Sequence, residues 1–259
     1  MSRRATQQGV QSIEVGGKLL EALARAERPQ MLRDLAAASG MPAAKAHRYL
    51  VSFARMGLIE QQAETGLYDL GAFALQLGLS ALARLDPVAA AVPHLVELGR
   101  ETGQTVALAV WANQGATIVR WLGADTPVAA SLRVGSVMPL TRSATGGAFL
   151  AFLPPQTTAP FVKRELVEHG RKGLPPSTQE EVDKWVAQTK RLGYARTSDF
   201  IPGIGGIAAP VFDHSGSMVL ALVALGYTRP FEADIAKISG AVSRVATDLS
   251  ARLGFRKVS

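Results

Sequence analysis

Along the first seventy positions the apolar residues recur at helical spacing in three short runs, and then the period shortens. From Ser12 to about Glu27, Ile13, Leu19, Leu20 and Leu23 mark one helical face, across the poor helix formers Gly16 and Gly17. The second run, MLRDLAAASG, puts Leu32, Leu35 and Ala36 on one face and reaches Gly40, placed to end the helix in a left-handed cap. The third opens at Pro42, whose fixed φ suits a first helical turn, and its Ala46, Tyr49, Leu50 and Phe53 fall at i, i+3, i+4 and i+7. Leu58-Ile59 and Leu67-Tyr68 then read as short strands around the turn signal Glu64-Thr65-Gly66. Helix, helix, tight turn, helix and hairpin predict a winged helix-turn-helix over residues 1–70. FALQLGLSALARL predicts a linker helix within 71–85, stopped at Asp86-Pro87.

Residues 86–259 mix the two periods. Helices are predicted over Pro87–Thr102, Thr145–Phe152, Phe161–Gly170, Thr178–Leu192 and Phe231–Leu253, and strands over Thr105–Trp111, Thr117–Leu122, Ile207–Phe212 and Met218–Ala224. Asn113-Gln114-Gly115 and Asp213-His214-Ser215-Gly216 are hairpin signals. Helices around antiparallel strand pairs make this an α+β domain, not a doubly wound one.

Composition narrows the chemistry. The chain has no cysteine, which excludes disulfides, thiolate nucleophiles and cysteine zinc sites and fits a reducing compartment. Two arginines near the N-terminus precede no apolar run, and no stretch approaches the ~18 uninterrupted apolar residues of a membrane span. A cytoplasmic protein without membrane contact is expected. The formal charge of +7 does not locate a nucleic-acid site, since residues 1–70 hold nine Lys/Arg against seven Asp/Glu. Clustering says more. Between Gly40 and Gly57 stand Lys45, Arg48 and Arg55 and no acid.

In the third helix Ala44, Arg48 and Arg55 project opposite the apolar stripe, flanked by Lys45 and His47. A recognition helix needs this division, one face buried on its domain and one offering long donors to phosphates and base edges. Arg48 and Arg55 suit phosphate or guanine, Lys45 a base edge, and Ala44 a thymine methyl. His47 either joins them or bonds within the domain. Arg33 in the second helix and Gln62 at the wing tip complete the expected DNA contacts, while Glu64 opposes phosphate there. Arg3 and Arg4 read either as a groove-following arm or as a plain terminus.

Two further stretches bear on a ligand. FIPGIGGIAAPVF lacks the strand–glycines–helix order of a dinucleotide fingerprint and reads as a glycine-rich loop against a sheet edge, lining a small-molecule pocket. PLTRSATGGAFLAFLPP places Ser143, Thr145 and two glycines before an apolar helix, where free amides suit a carboxylate or else serve a plain cap. The four histidines lack metal-ligand spacing and no nucleophile elbow occurs, so no catalytic residue, metal or cofactor is expected. An enzyme with an appended helix-turn-helix, and a scaffold that no longer binds DNA, are the alternatives to a regulator.

Together VQSIE, LRDLAAASGMPAAKAHRYL, MGLIEQQAETGLYDLG, LRVGSVMPLTRSATGGAFLAF and GYARTSDFIPGIGGIAAPVFDHSG resemble the IclR family of bacterial transcription regulators over nearly the whole chain. The resemblance implies a winged helix-turn-helix, a linker helix and a GAF-like effector-binding domain, assembled as dimers or tetramers on partly palindromic double-stranded operators. It also implies a small effector, often an organic or aromatic acid, at Ser143, Ala144, Thr145, Gly146, Asp199, Ile204, Gly206, Val223 and Leu225. Three departures stand out. Ala44-Lys45 replaces a frequent Ser-Thr, Gly205-Gly206 a frequent Arg-Cys, and Val223 and Leu225 occupy positions often held by serines. The expected pocket is more apolar than one for a two- or three-carbon acid.

Overall fold

The computed structural model describes residues 9–124, 132–176 and 178–256, except for the side chain of Asp199. Arg3 and Arg4, and the expected contribution of the Asp199 side chain, lie outside the described residues. The chain divides into two compact units, Met1–Leu85 and Asp86–Ser259.

The first unit holds α1 (Gln11–Arg25), α2 (Leu32–Ser39), α3 (Ala43–Arg55), β1 (Ile59–Gln61), β2 (Tyr68–Leu70) and α4 (Ala72–Ala83). Leu19 and Leu23 of α1, Leu35 and Ala36 of α2, Ala46 and Leu50 of α3, and Ile59 and Tyr68 of the wing form its core. The helix-breaking cost of Gly16 has a compensation: a Cβ there would come within 2.8 Å of the Tyr49 ring, so its absence lets α1 close onto α3. Gly40 ends α2 in the left-handed region at φ 67°, and Pro42 sits at the N-cap of α3, turning the chain between the two helices. Gln30 exchanges two backbone hydrogen bonds with Tyr68, adding a third, minimal strand to the β1–β2 pair.

The second unit contains α5 (Pro87–Thr102), β3 (Thr105–Ala112), β4 (Gly115–Leu122), α6 (Ala144–Phe152), α7 (Pro155–Lys172), α8 (Gln179–Leu192), β5 (Ala195–Ile201), β6 (Ile204–Phe212), β7 (Met218–Tyr227), α9 (Thr228–Ala233) and α10 (Ile235–Arg252). The strands form one five-stranded antiparallel sheet in the order β4-β3-β7-β6-β5. Helices α5 and α10 cover one face and α6 the other. Because both faces of β6 and β7 are covered, those strands read in sequence as continuous apolar runs and not as alternation. Among the described residues no single helix is long and apolar enough to cross a membrane.

Four sequence expectations change. The predicted Phe231–Leu253 helix is two helices, broken at Asp234. Phe231 belongs to the short first one, fully buried against the sheet. Helix α7 opens at Pro155 and runs through Pro160, well before Phe161. Strand β5, ARTSDFI, was not expected: it is polar, lies at the sheet edge and loses register between Thr197 and Ile201. Gly205 and Gly206 do not form a loop but lie inside β6, paired with Gly226 and Leu225.

Candidate functional site

On α3 the buried and exposed faces separate cleanly. Ala46 and Leu50 are buried, while Ala44, Lys45, His47, Arg48 and Arg55 are all exposed. Among the described residues Lys45, Arg48 and Arg55 form no ion pair, so three cations stand on one surface without an internal acid. An unpaired row of long cations is what a polyanion needs, because each can exchange a bound counterion for a phosphate. Val51 is also exposed on this side, one turn from Arg48 and from Arg55. His47 has a local partner, its Nδ1 lying 3.5 Å from the Tyr68 hydroxyl. Arg33, on α2, is highly exposed and makes only a long 3.4 Å contact with its neighbour Asp34.

The wing tip is organised by its own side chains. The Gln61 amide donates to the Gly66 carbonyl at 3.0 Å, and the Thr65 hydroxyl donates to Gln62 Oε1 at 2.6 Å. The NH2 group of Gln62 keeps no partner among the described residues, so it remains a donor at an exposed tip.

In the second unit a cavity of about 410 Å³, its open part included, lies between the α6 face of the sheet and the start of α6. It gathers Ser143, Ala144, Thr145, Ile204, Gly206, Val223 and Leu225, seven of the positions the family resemblance implied. Phe200, Ile201 and Gly205, from the stretch read as lining a pocket, also face it, while sequence reading missed Ile118, Leu132, Met138 and Thr197. Ile118 lies in β4 and Thr197 in β5, strands at opposite edges of the sheet, so no local pattern joins them.

Serine 143 caps α6: its hydroxyl donates to the Pro139 carbonyl at 2.7 Å and accepts the Gly146 N–H at 2.9 Å. Gly146 is therefore not a free donor and does not line the cavity. A Cβ there would overlap the Pro139 carbonyl oxygen, so the glycine serves the close approach of α6 to residues 139–140. The N–H groups of Ala144 and Thr145 have no acceptor among the described residues, and both residues are almost wholly buried against the cavity. Two unpaired amides at a buried helix start, in a mostly apolar wall, are the donor arrangement an anion requires.

A residue from another helix holds this corner in place. Glu165 of α7 accepts hydrogen bonds from the Leu140 N–H (2.8 Å), the Thr141 N–H (2.9 Å) and the Thr141 hydroxyl (2.7 Å). Nothing in its local sequence marks it out, since its partners lie some two dozen residues earlier. The adjacent glycines of β6 differ in role. A Cβ on Gly205 would come within 2.8 Å of the Phe231 ring on the far face, whereas one on Gly206 would meet Ala144 and Thr197 only at 3.8 Å. Gly206 thus leaves space in the cavity and Gly205 leaves room for α9.

Comparison with known proteins identifies both units. Residues 12–63 match the IclR helix-turn-helix domain, and residues 79–251 match the bacterial transcriptional regulator IclR C-terminal domain. The chain is 29% identical to the transcriptional repressor IclR of Escherichia coli (strain K12) over 251 residues, covering 95% of this chain and 85% of that one. It is 31% identical to the glycerol operon regulatory protein of Streptomyces coelicolor, covering 79% and 80% of the two chains. The crystal structure of Pseudomonas aeruginosa HmgR superposes with a TM-score of 0.87 at 34% identity, over 96% of this chain and all of that one. With both domain models matched, the chain is a transcriptional regulator with a DNA-binding and an effector domain, not an enzyme. The chain belongs to the IclR family of bacterial transcriptional regulators.

Proposed function

We propose that this protein binds an operator through α3 and the wing and releases or tightens that grip when an aromatic or otherwise hydrophobic organic acid fills the α6 cavity. The observation that carries the effector class is the lining: apolar walls around one corner of unpaired amides. Such a site favours a ring or branched chain with one carboxylate, the body against Ile118, Met138, Val223 and Leu225 and the carboxylate at Ala144 and Thr145. A two- or three-carbon acid would leave the apolar wall uncovered.

On the DNA, Arg48 and Arg55 neutralise phosphates, Lys45 reaches a base edge, and Ala44 and Val51 offer methyl contacts to thymine. Gln62 adds a wing contact to the backbone, and Arg33 an outer phosphate contact. His47, with its Tyr68 partner, braces the helix on the wing as well as facing DNA. Two copies act together. Helix α4 carries no charged residue and buries none of its side chains, and Leu75, Leu77 and Leu79 are each at least half exposed. A helix apolar on all sides needs a partner surface, which suits a dimer or tetramer on paired half-sites. Such a regulator works in the cytoplasm, where its operator lies.

Titration calorimetry tests the effector class. Benzoate or phenylacetate should bind and shift the affinity for operator DNA, with glyoxylate and pyruvate far weaker. Tight glyoxylate or pyruvate binding with none for the aromatic acids would refute it.

A further inference from the structure

A second chamber adjoins the α6 cavity, and its chemistry is different. It holds about 760 Å³, open part included, and shares Thr197 and Phe200 with the first, so these two side chains are the partition. Where the first cavity has no charged side chain among the described residues of its wall, the second has Arg142, Arg196 and Glu181, with Trp185 beside them. The break in register between Thr197 and Ile201 on β5 sets Phe200 free of the sheet ladder at this boundary.

Two of the three charges are already engaged. Arg196 donates to Glu232 at 2.7 Å. Glu181 caps α8, accepting from the Thr178 N–H at 3.1 Å and the Thr178 hydroxyl at 3.3 Å. Arg142 differs. It is half-buried, and among the described residues its guanidinium has neither an ion pair nor a hydrogen-bond partner. Burying part of a guanidinium with no acceptor is unfavourable unless something else supplies one. The chain around it is not loose: Thr141 is held by three atoms' worth of hydrogen bonding to Glu165 together with Leu140, and Ser143 is locked into the α6 cap. One rigid stretch therefore presents an anion acceptor to each chamber, the Ala144 and Thr145 amides to the first and the Arg142 guanidinium to the second. The α-carbons of residues 142 and 144 are at most about 7 Å apart, so the two anion-seeking groups spring from one short stretch of backbone.

Building on the effector class argued above, we propose that Arg142 is a specificity residue and that the effector is two-headed, an aromatic body with a second acidic group that passes the Thr197–Phe200 partition to the guanidinium. The first group sits at the α6 amides and the ring in the apolar cavity. A planar guanidinium suits a carboxylate because it donates two parallel N–H bonds.

The test uses the full-length protein and calorimetry, with benzoate as a one-headed probe and benzene-1,3-dicarboxylate and 4-carboxyphenylacetate as two-headed ones. In the wild type at least one two-headed probe should bind about tenfold tighter than benzoate, as one added charge-assisted bond gives. In Arg142→Gln that ratio should fall to near unity, while Arg191→Gln, on an exposed face of α8, keeps it. Thermal melting confirms that each variant folds. Equal binding of both kinds of probe to the wild type would overturn the role of Arg142 and leave the aromatic-acid reading standing. So would a preference that survives in Arg142→Gln. Absence of binding by every probe would overturn the aromatic-acid reading and the two-headed proposal with it.

Discussion

The recognition helix and the α6 cavity solve opposite problems. On α3 the proposed functional groups are side-chain charges kept outside, unpaired among the described residues and spaced by the helical repeat, so a helical projection of the sequence already displays them. In the cavity the proposed functional features are mostly the absence of something: a missing Cβ at Gly206, two missing acceptors at Ala144 and Thr145, and no charge among the described residues of the wall. Surfaces that meet a polyanion are written in residue types. Cavities are written in register and packing, which a linear pattern carries only in part.

That contrast can be broken most forcefully at the DNA surface. Replacing Lys45 and Arg48 together by alanine should weaken operator binding by roughly 2–6 kcal/mol, taking about 1–3 kcal/mol per contact. The melting temperature should not fall, since both side chains are exposed and unpaired. Gel-shift titration beside calorimetric melting reads both quantities. If the variant unfolds, the face is structural and the contrast between the two regions fails.

The next effect is on stability, in the cavity's support. Glu165→Ala leaves two backbone N–H groups and one hydroxyl without their acceptor and should cost about 1–3 kcal/mol in urea unfolding. Effector affinity should fall in the same variant, because the Ser143 cap hangs from this loop. Unchanged stability would mean that water replaces the carboxylate and that Glu165 does not organise the corner.

The two glycines of β6 sharpen the comparison further. Gly205→Ala should destabilise the fold by about 1–3 kcal/mol through overlap with Phe231. Gly206→Ala should change stability by no more than about 0.5 kcal/mol yet weaken effector binding by filling cavity space. Denaturation curves paired with ligand titrations separate these outcomes, and a reversed pair would mean that the cavity lies on the other face of the sheet. The smallest effect is in ionic strength: each phosphate-contacting cation removed should flatten the slope of log affinity against log salt by about one unit. A similar flattening on removing Arg191, which lies on α8, would blur the distinction between the two units.

Much of the first unit was legible because its elements follow their local patterns. The stripe Ala46, Tyr49, Leu50, Phe53, the Gly40 cap and the short alternating wing each carry their own signal. Val51, an apolar residue on the cationic side, acquires a sense only beside Arg48 and Arg55 on a surface open to bases. In the second unit the apolar strands were visible, but β5 was not, since an edge strand with the sequence ARTSDFI has neither alternation nor a covered face to record. Gly205-Gly206 looked like a loop because local propensity disfavours glycine in strands, and tertiary packing against Phe231 overrode it. Gly146 was read as part of an anion site from its position alone, and only the Ser143 hydroxyl shows that its N–H is already taken. Glu165 and Arg142 had no local signature, since their importance comes from a helix far along the chain and from a charge left unmatched in three dimensions.

The most direct test of the account is a fluorescence-anisotropy titration of duplex DNA from upstream of the protein's own gene. It would be run against a scrambled duplex at several salt concentrations, with the wild type and the Lys45/Arg48 double alanine variant. The account predicts tight, sequence-dependent binding by the wild type with a steep salt slope, and loss of both the preference and about two units of slope in the variant. Wild-type and variant curves that coincide on both duplexes would contradict it, because the cationic face of α3 would then not be what meets DNA.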